Sequence, residues 1–306
     1  MPVRLVRFGL LLTCLIALGS LKARADDAPA PATDHKAEIE AAWKAADKTA
    51  TAGPAEIKLL DQATLKLPAD QTFVPSAEAA QIMRAYGNQN DSTLTGLVVG
   101  TKDEDTWLIT IRHVEEGYVR DGDAKEWEPD ALLDSLKEGT EDANKDRVDR
   151  GFPELEVLGW VQPPAYDATT HRLVWSLSVR NKGAAETGPN NINYNTYALG
   201  RDGYFSLDLL TNAPDIDHDK PAVQALLGGL QFLPGKRYED FNSTTDKVAE
   251  YGLAALIGAV AVKKLGLLAL AGVFLLKVWK IGMIAILGLA AAARRIFRRR
   301  PATPPQ

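Results

Sequence analysis

Apolar residues in the second half of the chain follow the short, turn-separated pattern of β-strands. Four runs rich in Val, Leu, Ile and aromatic residues lie at positions 155–161, 173–179, 192–199 and 204–210. Turn-forming sequences separate them at positions 163–170, 181–190 and 200–203. Because short connections join antiparallel neighbours, this pattern predicts an antiparallel sheet of at least four strands.

The first half of the chain mixes helical and strand-like patterns. Apolar spacing predicts helices over residues 37–47 and 76–86, strands over 57–60 and 63–67, and a hairpin formed by 94–99 and 107–111. Gly139, followed by Thr140 as a cap, predicts a pair of helices over 131–138 and 141–150. A helix over 221–230, capped by Asp219, and a short strand at 231–233 are predicted to complete the domain.

This order of elements predicts an α+β fold with a mainly antiparallel sheet and several helices. The body of the chain is also strongly acidic. Residues 1–25 hold four basic side chains and no acid, and residues 248–306 hold nine basic side chains and one acid. Residues 26–247 therefore keep 22 of the 35 basic and 39 of the 40 acidic residues, a net charge of −17. Such a domain repels a phosphate backbone, which argues against nucleic acid as a partner.

The amino terminus has the pattern of a secretory signal. Arg4 and Arg7 precede a short apolar run at positions 8–18, and Ala25 completes a small-residue cleavage motif. The apolar run is too short to span a bilayer comfortably, so we predict a cleaved signal peptide over residues 1–25. A polar spacer, residues 26–36, and an exported domain, residues 37–247, would follow.

The carboxyl terminus has the composition of a membrane element. Three uncharged stretches lie at positions 251–262, 265–276 and 281–293. They predict a transmembrane helical anchor within residues 248–293, and the arginine-rich tail 294–306 predicts a cytoplasmic end. A single long span leaves Lys277 and Lys280 deep in the bilayer. In the alternative, the span ends near these lysines and the last stretch lies on the surface.

The body carries no motif that assigns a catalytic residue or a cofactor. Nucleophile-elbow, phosphate-loop and dinucleotide motifs do not occur, and the single cysteine, Cys14, lies in the predicted signal. Two stretches rich in aromatic residues and asparagine either line a ligand surface or form hairpin corners. The residues concerned are Trp160, Tyr166, Asn193, Tyr194, Asn195 and Arg201.

Acidic residues offer a second candidate site. Asp215, Asp217 and Asp219 alternate along the chain, a pattern that either directs oxygen ligands to one hard cation or forms a solvated linker. No histidine pair has metal-ligand spacing. Paired carboxylates would serve glycoside hydrolysis, but among 39 acids the sequence singles out no pair.

Five segments together resemble the DUF2167 family of bacterial proteins of unknown function, which are described as membrane-anchored. They lie at positions 144–150, 159–167, 193–203, 235–241 and 245–258. The resemblance extends over roughly residues 37–293, and its most distinctive part is the segment 246–253. It implies an exported domain with a carboxyl-terminal anchor, and it transfers no active site.

These observations predict a non-catalytic binding or regulatory protein of the bacterial inner membrane, with its main domain in the periplasm. The expected partners are the lipid bilayer and either another envelope protein or a second copy bound through the membrane helices. One alternative is a membrane-tethered hydrolase that uses paired carboxylates. Another is a subunit of an oligomeric membrane complex, in which Lys277 and Lys280 would be functional.

Overall fold

The computed structural model describes residues 35–102, 104–125, 127–185 and 190–258. The predicted signal peptide, Lys277, Lys280 and the arginine-rich tail lie outside the described residues. The helices are α1 His35–Ala46, α2 Ser76–Ala85, α3 Pro129–Asp149, α4 Ile216–Gly229 and α5 Ala254–Ile257. The strands are β1 Thr51–Ala52, β2 Ala55–Leu59, β3 Ala63–Leu67, β4 Gln71–Pro75, β5 Leu94–Gly100, β6 Leu108–Val114, β7 Tyr118–Arg120, β8 Leu155–Asp167, β9 Arg172–Asn181, β10 Asn191–Leu199, β11 Tyr204–Asn212, β12 Leu230–Phe232 and β13 Val248–Gly252.

An eight-stranded antiparallel sheet forms the centre of the fold. Its strand order is β1-β4-β5-β6-β11-β10-β9-β8. Strands β8 to β11 form the predicted antiparallel meander, and β5 pairs with β6 as the predicted hairpin. The α+β class with a mainly antiparallel sheet is therefore confirmed.

The two faces of this sheet pack against different elements because side chains alternate along each strand. One face carries Phe205, Leu207 and Leu209 of β11, which pack on α4 and on a three-stranded sheet of order β12-β3-β2. The opposite face packs against α1 and α2 at one end and against α3 and α5 at the other. Between these two helical groups, polar side chains of β6, β10 and β11 line the sheet.

Strand β8 forms one edge of the large sheet. Three register shifts interrupt its pairing with β9, and the last spans Pro163 and Pro164. The Asn144 side chain of α3 bonds both backbone groups of Leu155, with the amide donating to the carbonyl at 2.9 Å and the N–H donating to Oδ1 at 2.8 Å. Prolines, bulges and this side chain reduce the number of backbone groups that the edge leaves open.

Helix α3 is continuous where the sequence predicted two helices. It runs through Gly139, and the Thr140 hydroxyl donates to the carbonyl of Leu136 at 2.8 Å. A glycine inside a helix costs only about 1 kcal/mol relative to alanine. The buried face, which includes Leu132, Leu136, Gly139, Thr140, Asn144 and Arg147, continues across the predicted break. Packing of this face on β8 therefore outweighs the local sequence signal for a helix end at Gly139.

The transmembrane part of the predicted fold class is corrected by the structure. Residues 248–252 form β13, which pairs in parallel with β7, and residues 254–257 form the short helix α5. Leu253, Leu256 and Ile257 are buried in the domain core, so their apolar character serves core packing. In the part of the chain that the structure describes, no helix has the length and apolarity needed to cross a membrane.

Candidate functional site

A cleft of about 440 Å³ opens where the ends of β9, β10 and β12 meet. Its buried lining is apolar and comprises Ala198, Leu199 and Leu230, with the half-buried ring of Phe232 beside them. Three basic side chains, His171, Arg172 and Arg237, line the same cleft together with Glu239. Polar atoms form most of the accessible surface of the cleft, so directed hydrogen bonds would contribute more than apolar contact to holding a ligand.

A glycine allows this end of the sheet to close. Gly200 follows β10 and pairs across an isolated bridge with Arg237. A Cβ atom at Gly200 would lie 2.5 Å from a ring atom of Phe232 and 3.1 Å from the carbonyl oxygen of Lys236. Only a residue without a side chain leaves room for the Phe232 ring in the cleft wall.

The two arginines of the cleft differ in how they are held. Arg172 is half-buried, and its Nη2 donates to the Leu227 carbonyl near the end of α4 at 2.8 Å. This contact fixes the direction of the guanidinium group. Arg237 precedes the short 3₁₀ helix Tyr238–Asp240, and its side chain is exposed. Together they present fixed and adaptable donors suited to carboxylate or phosphate oxygens.

His171 belongs to a short polar chain that leads away from the cleft. The Tyr166 hydroxyl lies 2.8 Å from Oδ2 of Asp121 and 3.1 Å from Nδ1 of His171. Burial, followed by the hydrogen bond to Asp121, raises the pKa of Tyr166. The imidazole also packs on the Tyr238 ring at a centroid distance of 4.1 Å, and Tyr118 stacks on that ring at 4.4 Å.

The backbone of His171 adopts the left-handed conformation, with φ of +52°. Few non-glycine residues do so, although histidine is among the more tolerant. Such strain persists only where surrounding contacts hold it, and it is frequent at functional sites. His171 was not predicted as a site residue because an isolated histidine in a turn gives no local signal.

The structure distributes the six predicted ligand-surface residues over several places. Trp160 donates to the Pro129 carbonyl at 3.2 Å, and Tyr166 supports His171 beside the cleft. Tyr194 lies on the sheet face that packs against α4, where the Lys220 ammonium stands 5.0 Å from its ring centroid.

Asn193 and Asn195 lie on the opposite face of β10, where both are buried. Arg201 forms a two-pronged ion pair with Asp246, with both N···O distances at 2.7 Å. This guanidinium, together with the backbone N–H of Asn242, lowers the pKa of Asp246 well below its usual range.

The three alternating aspartates point to different surroundings. Asp215 precedes α4 and accepts from the Asn212 amide at 3.3 Å, while Asp217 is exposed. Asp219 lies inside α4 rather than at its start; it is buried, accepts from the Thr211 hydroxyl and contacts His218 Nδ1 at 2.8 Å. The described residues contain no cluster of three or more His, Cys, Asp or Glu side chains placed to hold a metal ion.

A second polar cluster lies between the two helical groups on the sheet. Arg112 of β6 contacts two carboxylates, with Nε at 2.6 Å from Asp91 and Nη1 at 2.8 Å from Asp208. Burial raises the pKa of Asp208 to about 6, although Arg112 and the Ser206 hydroxyl oppose this shift. Burial would also raise the pKa of Asp91, but Arg112 and Thr93 together outweigh it and lower that pKa.

Open space beside this cluster is very small. The cavity that Asp91 and Arg112 help to line has a volume of about 10 Å³, room for one water molecule. The second oxygen of Asp208, Oδ1, is buried and has no hydrogen-bond partner among the described residues. Charged residues inside the apolar strands β6 and β11 are the sequence signal that could have identified this cluster.

Comparison with known proteins identifies a family. The family model described as "Protein of unknown function (DUF2167)" matches residues 51–287. A search of the curated proteins finds no match.

Two of the solved structures that match this chain have low TM-scores. The solution structure of cyanobacterial PsbP (CyanoP) from Synechocystis sp. PCC 6803 matches with a TM-score of 0.35 and 9% identity, over 60% of this chain and 91% of that one. The Ran-binding protein Mog1p of Saccharomyces cerevisiae matches with a TM-score of 0.30 and 13% identity, over 59% of this chain and 96% of that one. Both scores lie below 0.5, and neither match supports a functional statement.

Proposed function

This chain belongs to the DUF2167 family, and we propose that it is a non-catalytic binding protein whose cleft holds a small organic anion. The observation that carries the proposal is that two arginines and a half-buried aromatic ring line one open space. Its volume of about 440 Å³ lies in the range of small-molecule sites, roughly 300–1,000 Å³. Arg172 and Arg237 supply donors for an anionic group, and the half-buried Phe232 ring offers apolar contact.

The charge of the domain adds selectivity to this arrangement. Residues 26–247 carry a net charge of −17, so two arginines in one cleft are a local concentration of positive charge. Anionic molecules are repelled by most of such a surface and gain charge-assisted hydrogen bonds at the cleft. We expect binding to weaken as salt concentration rises, because the exposed Arg237 is screened.

A hydrolase that uses paired carboxylates is less well supported by the geometry. Asp91 and Asp208 share the guanidinium of Arg112, but they lie beside space for a single water. A glycosidase needs its two carboxyl groups on either side of a bound sugar. The cleft that has room for a ligand carries one acid, Glu239, among its lining residues.

Binding is tested with the full chain and a set of small carboxylates and phosphate esters, by thermal shift and then calorimetry. Arg237→Gln should weaken the best ligand by about tenfold or more, because a charge-assisted bond contributes roughly 1.5–3 kcal/mol. Arg84→Gln is the matched control, since Arg84 is also exposed but lies on α2. Equal affinity in the wild type and both variants would reject the cleft as the site.

We also propose that the domain acts in the bacterial periplasm. The support is the sequence pattern at the amino terminus, where Arg4, Arg7 and an apolar run precede Ala25. Export would leave a mature chain without Cys14, and therefore without thiols in an oxidising compartment. Fractionation of expressing cells, with amino-terminal sequencing of the purified protein, tests this. A protein that keeps residues 1–25 and stays with the cytoplasmic fraction would contradict it.

A further inference from the structure

The polar chain behind the cleft determines which nitrogen of His171 carries a proton. A carboxylate only accepts hydrogen bonds, and a tyrosine hydroxyl has a single proton to donate. The Tyr166 hydroxyl, 2.8 Å from Asp121 Oδ2, therefore donates to that carboxylate. Its oxygen is left to accept from His171 Nδ1 at 3.1 Å. The neutral imidazole is consequently the Nδ1–H tautomer, with its lone pair on Nε2.

Contacts to the ring and to the backbone hold His171 in this orientation. Tyr166 anchors Nδ1, the Tyr238 ring packs against the imidazole, and the Leu199 N–H donates to the His171 carbonyl at 3.0 Å. The left-handed backbone at His171 is retained within these contacts. A strained residue held by surrounding contacts is preorganised, so little entropy is lost when a ligand bonds to it.

The other ring nitrogen remains for the cleft. His171 lines the cleft and is 26% exposed, while Nδ1 is turned towards Tyr166. No group among the described residues hydrogen-bonds to Nε2, which in this tautomer is an acceptor. The cleft therefore offers donors from Arg172 and Arg237 and an acceptor from His171 that is fixed in direction, in addition to the exposed carboxylate of Glu239.

We propose that the cleft selects a hydroxylated organic anion: its carboxylate or phosphate binds the arginines, and its hydroxyl donates to His171 Nε2. Asp121 and Tyr166 are the positioning residues that fix this acceptor. The inference deepens the proposed function and rests on it. It adds an acceptor for the hydroxyl proton that the arginines cannot provide, because guanidinium groups only donate.

The tautomer is tested by ¹⁵N NMR of the full chain with labelled histidine, above the titration range of the imidazoles. His171→Asn assigns the signal, since asparagine tolerates the left-handed backbone. The wild type should show Nδ1 protonated and Nε2 unprotonated. Tyr166→Phe should abolish that preference, whereas Tyr86→Phe, which removes another half-buried hydroxyl, should leave it unchanged. An Nε2–H tautomer in the wild type would overturn the proposal.

Ligand selection is tested with matched pairs: malate against succinate, and glycerol 3-phosphate against propyl phosphate. The hydroxylated member of at least one pair should bind about tenfold more tightly to the wild type, and Tyr166→Phe should remove most of that preference. Which pair responds separates a carboxylate ligand from a phosphate ester. Binding without any hydroxyl preference would reject this inference and leave the proposed function standing. Absence of binding by all four anions would reject both.

Discussion

Arg112 can neutralise only one of the two carboxylates that it contacts, and the pKa values of the two partners reflect this. Asp91 receives additional hydrogen bonds from Thr93, which lower its pKa. Asp208 is more deeply enclosed, and burial raises its pKa to about 6. At neutral pH the cluster therefore keeps a buried negative charge that the fold must tolerate. Residues of this kind set how stability depends on pH.

Ionisation of Asp208 should destabilise the protein as pH rises. Its folded pKa of about 6 exceeds the unfolded value near 3.8, so the folded state binds the proton more tightly, and stability is lost between about pH 4 and pH 6. Asp208→Asn should remove this loss. Relative to the wild type, its free energy of unfolding should improve by about 2 kcal/mol between pH 4.5 and pH 7.

Urea unfolding at several pH values measures this difference. Asp217→Asn serves as the control because Asp217 is exposed. The lowered pKa of Asp91 has the opposite effect on stability, because it favours the folded state above about pH 4. Between pH 4.5 and pH 7 it changes the free energy of unfolding little. Parallel pH profiles for the wild type and Asp208→Asn would contradict the assignment.

At the scale of elements, the strands were predicted better than the helices. The meander β8–β11 followed from alternation and turns, which are local signals. Helix α3 was predicted as two helices because Gly139 and Thr140 resemble an end and a start. The burial that carries the helix through this point comes from β8, and the bond between Asn144 and Leu155 joins elements that a local pattern treats separately.

Two adjacent glycines of α4 should respond to alanine in opposite directions. Gly228 is exposed, and a methyl group placed there would have nothing within 4 Å, so Gly228→Ala should stabilise the helix by up to about 1 kcal/mol. At Gly229 a Cβ would lie 2.8 Å from the Lys66 carbonyl oxygen, so Gly229→Ala should cost about 1–3 kcal/mol. Thermal unfolding of both variants provides the comparison. Shifts of the melting temperature in the same direction for both variants would contradict the close contact between Gly229 and Lys66 of β3.

At the scale of the whole molecule, the sequence could not reveal the cleft or the fate of the carboxyl-terminal apolar segment. His171, on the β8–β9 turn, and Arg237 line the same cleft. Asp121 is linked to His171 through the Tyr166 hydroxyl. Such contacts depend on the register of distant strands. Residues 251–257 were predicted as part of a membrane anchor for another reason. A short apolar run has the same composition whether it enters a protein core or a bilayer.

The segment 248–258 should be essential for folding of the domain. A chain that ends at Lys247 loses β13 and the buried side chains Leu253, Leu256 and Ile257. Each such side chain contributes roughly 1.5–3 kcal/mol on burial, and their sum is comparable to the stability of a typical domain. We expect the chain ending at Lys247 to be unfolded or aggregated.

A chain that ends at Gly258 is the matched comparison, because it retains β13 and α5. It should unfold cooperatively and give the dispersed NMR spectrum of a folded protein. Circular dichroism melts of the two chains decide the matter. Cooperative unfolding of the shorter chain would mean that residues 248–258 are an accessory rather than part of the core.

The proline pair in β8 has a consequence for the behaviour of the protein in concentrated solution. Pro163 and Pro164 lack amide hydrogens, so this stretch offers fewer donors to a further strand, and the bulges bend the ladder away from a straight template. Another copy is therefore less able to extend the sheet along this stretch of β8. Fibril growth by strand addition is therefore disfavoured at this stretch by covalent structure, which pH, salt and ligand do not change.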